Sequence, residues 1–113
     1  MGIRANIITK FTCEYGSSTF NYKQVEVQEM LEQNGVDVLM QWNADGGGRM
    51  EISTDGDSGK MYGRYLAKLE VLPPGDKHEY LGPDYTNLDV LVHLKNWWDY
   101  RDKKDKVIRV DWF

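Results

Sequence analysis

The chain has 113 residues and a formal net charge of −4, with 41% hydrophobic and 12% aromatic content. A domain of that size buries roughly 65% of the surface its unfolded chain exposes, so it folds as one unit (residues 1–113) without a stapling metal or disulfide, and low-complexity disorder is excluded. Fourteen basic against eighteen acidic residues exclude a general nucleic-acid binder, which needs a basic footprint to displace counterions.

Residues 3–15 read as one long strand. Ile3, Ala5, Ile7, Phe11, Cys13 and Tyr15 share a face at period two, with Arg4, Asn6, Lys10, Thr12 and Glu14 on the other. Gly16-Ser17-Ser18 is a turn signal. A helix follows, capped by Asn21 with Gln24 completing a capping-box pattern, striped by Val27, Met30 and Leu31, and stopped by Asn34-Gly35. Val36, Val38, Met40 and Trp42 alternate with Asp37 and Gln41, and Met50 and Ile52 alternate with Arg49, Glu51 and Ser53. The two runs read as a hairpin around Asn43 to Gly48. Residues 54–59 read as a second polar loop. Over 60–71 the spacing of Tyr62, Tyr65, Leu66 and Leu69 leans to helix, while Met61, Tyr65, Leu69 and Val71 also fit a strand face. Pro73-Pro74-Gly75 ends that element, and a loop runs to about Tyr85. The last helix starts at Thr86 or Asn87 and runs to about Arg101. Val107 to Phe113 closes the chain as a strand with Ile108, Val110 and Trp112 on one face. The order β-α-β-β-(α or β)-α-β predicts an α+β domain: a mostly antiparallel sheet of about four strands with two or three helices packed on one face.

The residue types that carry chemistry give no constellation. Cys13, the one cysteine, shares its predicted face with Ile7, Phe11 and Tyr15 and reads as a buried thiol, not a nucleophile. A single thiol makes no internal disulfide. No leader, myristoylation motif or membrane-length apolar run is apparent, so cytoplasm is the expected location. His78 and His93 lie outside any metal-ligand spacing and read as surface histidines, His93 pairing with Asp89 one turn earlier. Asp55-Gly56-Asp57-Ser58-Gly59 lacks the later ligands of a calcium loop, because position 12 is Leu66. Gly46-Gly47-Gly48 leads into a strand and so is a hairpin loop, not a phosphate cradle. No cofactor or metal is implied, and the reading leans against an enzyme.

The last helix is the informative element. At about 100° per residue, Leu88, Leu91, Leu94, Lys95 and Trp98 form the expected core face. His93, Trp97 and Tyr100 then line the opposite flank at i, i+4, i+7, with Asp89 and Asn96 nearby. A second aromatic strip asks for a second contact, and tryptophan and tyrosine are enriched at interface hot spots; the alternative is that the 73–85 loop covers it.

The opening Met1-Gly2-Ile3-Arg4-Ala5-Asn6-Ile7-Ile8 resembles the start of short bacterial and bacteriophage proteins that begin M-G-T-R-A-N, with Ile3 in place of their threonine. The resemblance implies a phage or mobile-element origin and carries over no functional residue. The expectation is a non-catalytic protein-binding module, an acidic inhibitor of a host defence or nucleic-acid-handling complex of the anti-CRISPR kind. Its partner is a protein or protein–nucleic-acid complex with a basic surface, and no direct nucleic-acid or membrane binding is expected. Trp97, Tyr100 and His93 are the expected anchors, and Asp89, Asp45, Asp55 and Asp57 the acidic contacts. Two alternatives stand beside it. One is a small metal-dependent hydrolase or nucleotide-binding enzyme built on Asp55, Asp57, Glu79 and His78. The other is a homo-oligomer, down to a homodimer, that buries Trp97 and Trp112-Phe113 against a second copy.

Overall fold

The computed structural model describes residues 5–8, 13–14, 20, 23–44 and 47–112. The class is α+β. Strands β1 (Ala5–Ile8), β2 (Cys13–Glu14), β3 (Val38–Trp42), β4 (Gly48–Ser53) and β5 (Val107–Trp112) form one sheet in the order β2-β1-β5-β4-β3, antiparallel at every pairing. Helices α1 (Gln24–Gln33), α2 (Gly56–Glu70) and α3 (Asn87–Tyr100) supply the rest of the core.

The long strand expected over 3–15 is a hairpin. Ile7 pairs with Glu14 and Ile8 with Cys13, so the chain reverses between them. Cys13 therefore sits across from Ile8 and off the line of Ile7, which a straight strand would have given it. The Cys13 side chain, and hence the buried-thiol reading, lies outside the described residues.

The sheet is two-faced. Met50 and Ile52 on β4 and Ile108, Val110 and Trp112 on β5 are buried at alternate positions. The other face carries an ionic lattice. Arg49 grips Asp111 through two hydrogen bonds, Nε to Oδ1 at 2.7 Å and Nη2 to Oδ2 at 3.0 Å. One register step away, Arg109 pairs with Glu51 at 3.3 Å and with Asp105. Val27, Met30 and Leu31 of α1, Tyr62, Tyr65 and Leu69 of α2, and Val90, Leu94 and Trp97 of α3 share one core cluster with the buried face of the sheet.

Helix α1 begins after Lys23, which makes no side-chain cap; the cap expected at Asn21 lies outside the described residues. Val27, Met30 and Leu31 are buried as the period requires. It ends at Gly35, whose φ of +83° lets Gly35 N–H reach Glu32 O and Val36 N–H reach Leu31 O.

Residues 60–71 are helical, and α2 starts earlier than the sequence suggests. The polar run 54–59 is not all loop: Gly56 to Gly59 form the first turn of the helix, with Asp55 at the N-cap position. Gly59 is glycine because a Cβ there would meet Thr54 O at 2.3 Å. Ser58 is buried: its hydroxyl donates to Ser53 O at 2.7 Å and accepts from Asp37 N–H at 2.9 Å, tying β4's end and β3's start to α2. Tyr62, Tyr65 and Leu69 carry the buried stripe.

Candidate functional site

Helix α3 is rotated about its axis relative to the face predicted from its leucines. The buried residues are Asn87, Val90, Leu94 and Trp97, while Leu88 is exposed and Leu91 and Trp98 only partly covered. The rotation is set by partners remote in sequence. Trp97 packs edge-on against Phe20 (5.5 Å between ring centroids) and Trp112 (6.4 Å), and the Trp112 indole N–H donates to Phe20 O at 3.0 Å. A tryptophan ring buries more than a leucine side chain, so the face that seats Trp97 wins.

The expected aromatic strip therefore does not form a surface. Trp97 and Trp112 are both fully buried within the chain, so neither is open to pack against a second copy; Phe113, the third residue of that alternative, lies outside the described residues. His93 is half-buried, its ring edge-on to Phe20 at 4.8 Å and near Tyr85 at 6.4 Å, not a solvated partner of Asp89. Only Tyr100 is open, at 63% exposure.

The acidic contacts are dispersed. Asp89 closes a capping box, with Thr86 N–H donating to Asp89 Oδ2 at 2.9 Å and Asp89 N–H to Thr86 Oγ1 at 3.2 Å. Asp57 is exposed in α2's first turn, where a carboxylate favours the helix dipole. Asp55 lies beside Lys106 at 3.8 Å, in a cleft of about 220 Å³ that Arg101 and Lys103 also line. Asp45 lies outside the described residues. The enzyme alternative is not assembled either: His78 sits on Tyr65, roughly 12 Å along α2 from Asp57 at 1.5 Å per residue. Among the described residues no group of three histidine, cysteine, aspartate or glutamate side chains is placed to hold a metal.

His78 is buried, not a surface residue. Its Nδ1 accepts two backbone N–H groups, Tyr80 at 3.1 Å and Leu81 at 3.2 Å, and its Nε2 lies 2.7 Å from Tyr65 Oη. Two donors on Nδ1 require a lone pair there, so the proton is on Nε2 and the ring is neutral. Burial lowers the His78 pKa, Glu79 opposes and Lys68 adds to the shift. Burial likewise raises Tyr65. The signal available in sequence was only that Tyr80 and Leu81 are apolar; the partner that sequesters His78 is thirteen positions away on α2.

This knot anchors the α2–α3 connection. His78 N–H donates to Tyr85 O at 3.0 Å, Asn87 Nδ2 to Pro73 O at 2.9 Å, Asn87 N–H to Asp76 O at 2.9 Å, and Leu88 N–H to Pro74 O at 3.1 Å. The connection then displays apolar residues in place of hiding them. Val71 is 83% exposed, Leu88 49% and Val92, one turn beyond Leu88, 46%; Pro73 and Pro74 are exposed between them in the chain. Every charged residue within two positions of these five is acidic and exposed: Glu70, Asp76 and Asp89.

Among the described residues no helix is long and apolar enough to cross a membrane. No family model matches the chain, and neither a curated protein nor a solved structure matches it.

Proposed function

We propose that the chain is a non-catalytic protein-binding module whose partner offers an apolar seat within a basic surface. The observation that carries this is the exposed set Val71, Leu88 and Val92 with Pro73 and Pro74, whose nearest charged residues in the chain are the carboxylates Glu70, Asp76 and Asp89, with Lys68, Lys77 and Lys95 further out. Leu88 N–H bonds Pro74 O and Val92 follows Leu88 by one helical turn, which brings part of this set together, and exposed apolar side chains grouped so are the usual form of an interaction site. Held by the His78 knot and the Asn87 hydrogen bonds, the α2–α3 connection loses little freedom on docking, which favours affinity. The net charge of −4, with Glu70, Asp76 and Asp89 as the nearest charges, favours fast, salt-sensitive association with a basic partner. Complexes that handle nucleic acid present such surfaces, and stoichiometric inhibition of one, a host defence complex included, is the activity that fits.

The test is affinity capture from lysate at low and high salt with four proteins: wild type, Val71→Glu with Val92→Glu, Glu70→Lys with Asp76→Lys, and Tyr100→Ala. The expected result is one stoichiometric partner that wild type and Tyr100→Ala retain at low salt. High salt and both double variants release it. Capture that survives both double variants would place the interface elsewhere, and the absence of any partner at either salt would remove the reading.

A further inference from the structure

We propose that β3 is a docking edge for the β3 of a second copy of this chain, the two strands pairing antiparallel about a two-fold axis at Met40. It uses a different surface from the Val71–Val92 patch and stands without it.

The phase of the β3–β4 ladder decides which backbone groups of β3 face outward. β3 is the last strand of the sheet, and among the described residues only β4 pairs with it. Ser53 N–H donates to Asp37 O at 2.9 Å and Asn43 N–H to Gly47 O at 2.8 Å. In an antiparallel ladder hydrogen-bonded and non-hydrogen-bonded pairs alternate. Asp37, Leu39, Gln41 and Asn43 therefore turn their N–H and C=O groups to β4. Val38, Met40 and Trp42, opposite Ile52, Met50 and Gly48, turn theirs to the open side.

That open row is self-complementary. With Met40 opposite Met40 of the second copy, Val38 falls opposite Trp42 and Trp42 opposite Val38. Every outward N–H and C=O of the three residues then meets a partner across the axis. No other centre on the strand pairs all three.

The side chains agree with the backbone. Residues 38–42 contain no charge and no proline, the two commonest devices that keep edge strands apart. Trp42 is 52% exposed because its neighbour across β4 is Gly48, which has no side chain to cover it; Val38 of the second copy would. On the outer face Leu39, 57% exposed, would lie opposite Gln41 of the other copy, again without like charges meeting. Just outside the strand, Asp37 would fall opposite Asn43, a compatible pair.

The experiment is sedimentation velocity across a concentration series on wild type and two double variants. Leu39→Lys with Gln41→Lys sets like charges opposite each other on both sides of the axis. Leu39→Lys with Gln41→Glu sets opposite charges there, and differs from the first at one side chain. The expected result is a wild-type monomer–dimer equilibrium, with the second variant dimerising at least about tenfold more tightly than the first. Amide exchange on the wild type gives an independent readout. The N–H groups of Val38, Met40 and Trp42 gain protection as concentration rises, and those of Leu39 and Gln41, already bonded to β4, do not change. A wild type that stays monomeric at every concentration, two variants that associate equally, or protection that ignores concentration would each overturn the proposal.

Discussion

Tyr65 Oη and His78 Nε2 lie 2.7 Å apart with both rings in the interior, and the imidazole completes its bonding on two backbone N–H groups of its own loop. A neutral ring suits that environment and a protonated one does not, because Nδ1 would lose its lone pair to a proton while facing two donors.

Acid should therefore weaken the fold at this point. The folded His78 pKa is lowered by burial, so the unfolded chain binds a proton first. The stability tied to a neutral ring is fully present above about pH 6.5 and is lost as pH falls from there toward the lower folded value, at no more than about 1.4 kcal/mol per pH unit. Urea unfolding at pH 7.5, 6.5 and 5.5 should show that slope in wild type and a flatter one in His78→Gln. Equal slopes would mean that His78 is not held neutral.

Replacing the hydroxyl separates the bond from the packing. Tyr65→Phe keeps the ring and leaves a buried imidazole N–H without its acceptor, so it should cost about 1–3 kcal/mol at pH 7.5. A loss below 0.5 kcal/mol in urea unfolding would show that the 2.7 Å contact contributes little.

Trp97 and Tyr100 should behave as opposites although both were read from sequence as interface anchors. Trp97→Ala removes a ring enclosed by Phe20 and Trp112 and should cost about 3–5 kcal/mol. Tyr100→Ala, at an exposed position, should stay within about 0.5 kcal/mol. Comparing their thermal or urea unfolding midpoints decides it. A destabilised Tyr100→Ala with an unaffected Trp97→Ala would reverse the assignment of the α3 faces.

Ser58 is the smallest side chain whose loss should be felt. Ser58→Ala orphans both the Asp37 N–H and the Ser53 carbonyl, and should cost about 1–3 kcal/mol. Asp37 precedes β3, so the amide exchange of Leu39 and Gln41, whose N–H groups bond to β4, should rise more than that of β5. Uniform exchange across the sheet would argue that Ser58 does not anchor the β3 end.

What could be read from the sequence was whatever local periodicity and turn chemistry decide. The Asn34-Gly35 stop, the β3–β4 hairpin, the Thr86 start of α3 and the buried face of β5 are all settled within a few residues of themselves. The errors share one cause. The α3 face, the burial of His78 and the setting of His93 are each decided by a residue far away in the chain: Trp112, Tyr65 and Phe20. Leucine count pointed to the Leu88–Leu91–Leu94 side, and a ring on another element outweighed it. The break between β1 and β2 escaped for a different reason, since alternation persists through a hairpin and the period alone does not show a reversal. The exposed Leu88 is invisible as a site because in sequence it reads as helix core, Val71 fits only the strand reading of 60–71, and nothing in the local pattern singles out Val92.

The position of β5 carries a consequence for how the molecule comes to exist. This strand, the last of the described elements in the chain, lies between β1 and β4, so among the described residues it is the one strand that joins the β1–β2 pair to the β3–β4 hairpin in the sheet. Until Val107 to Trp112 has emerged from the ribosome, those two hairpins have no common neighbour, and the inner edges of both stand open. A nascent chain stalled shortly before that point would be a pair of sticky fragments, and its safe maturation depends on the speed with which the six residues of β5 slot into the centre.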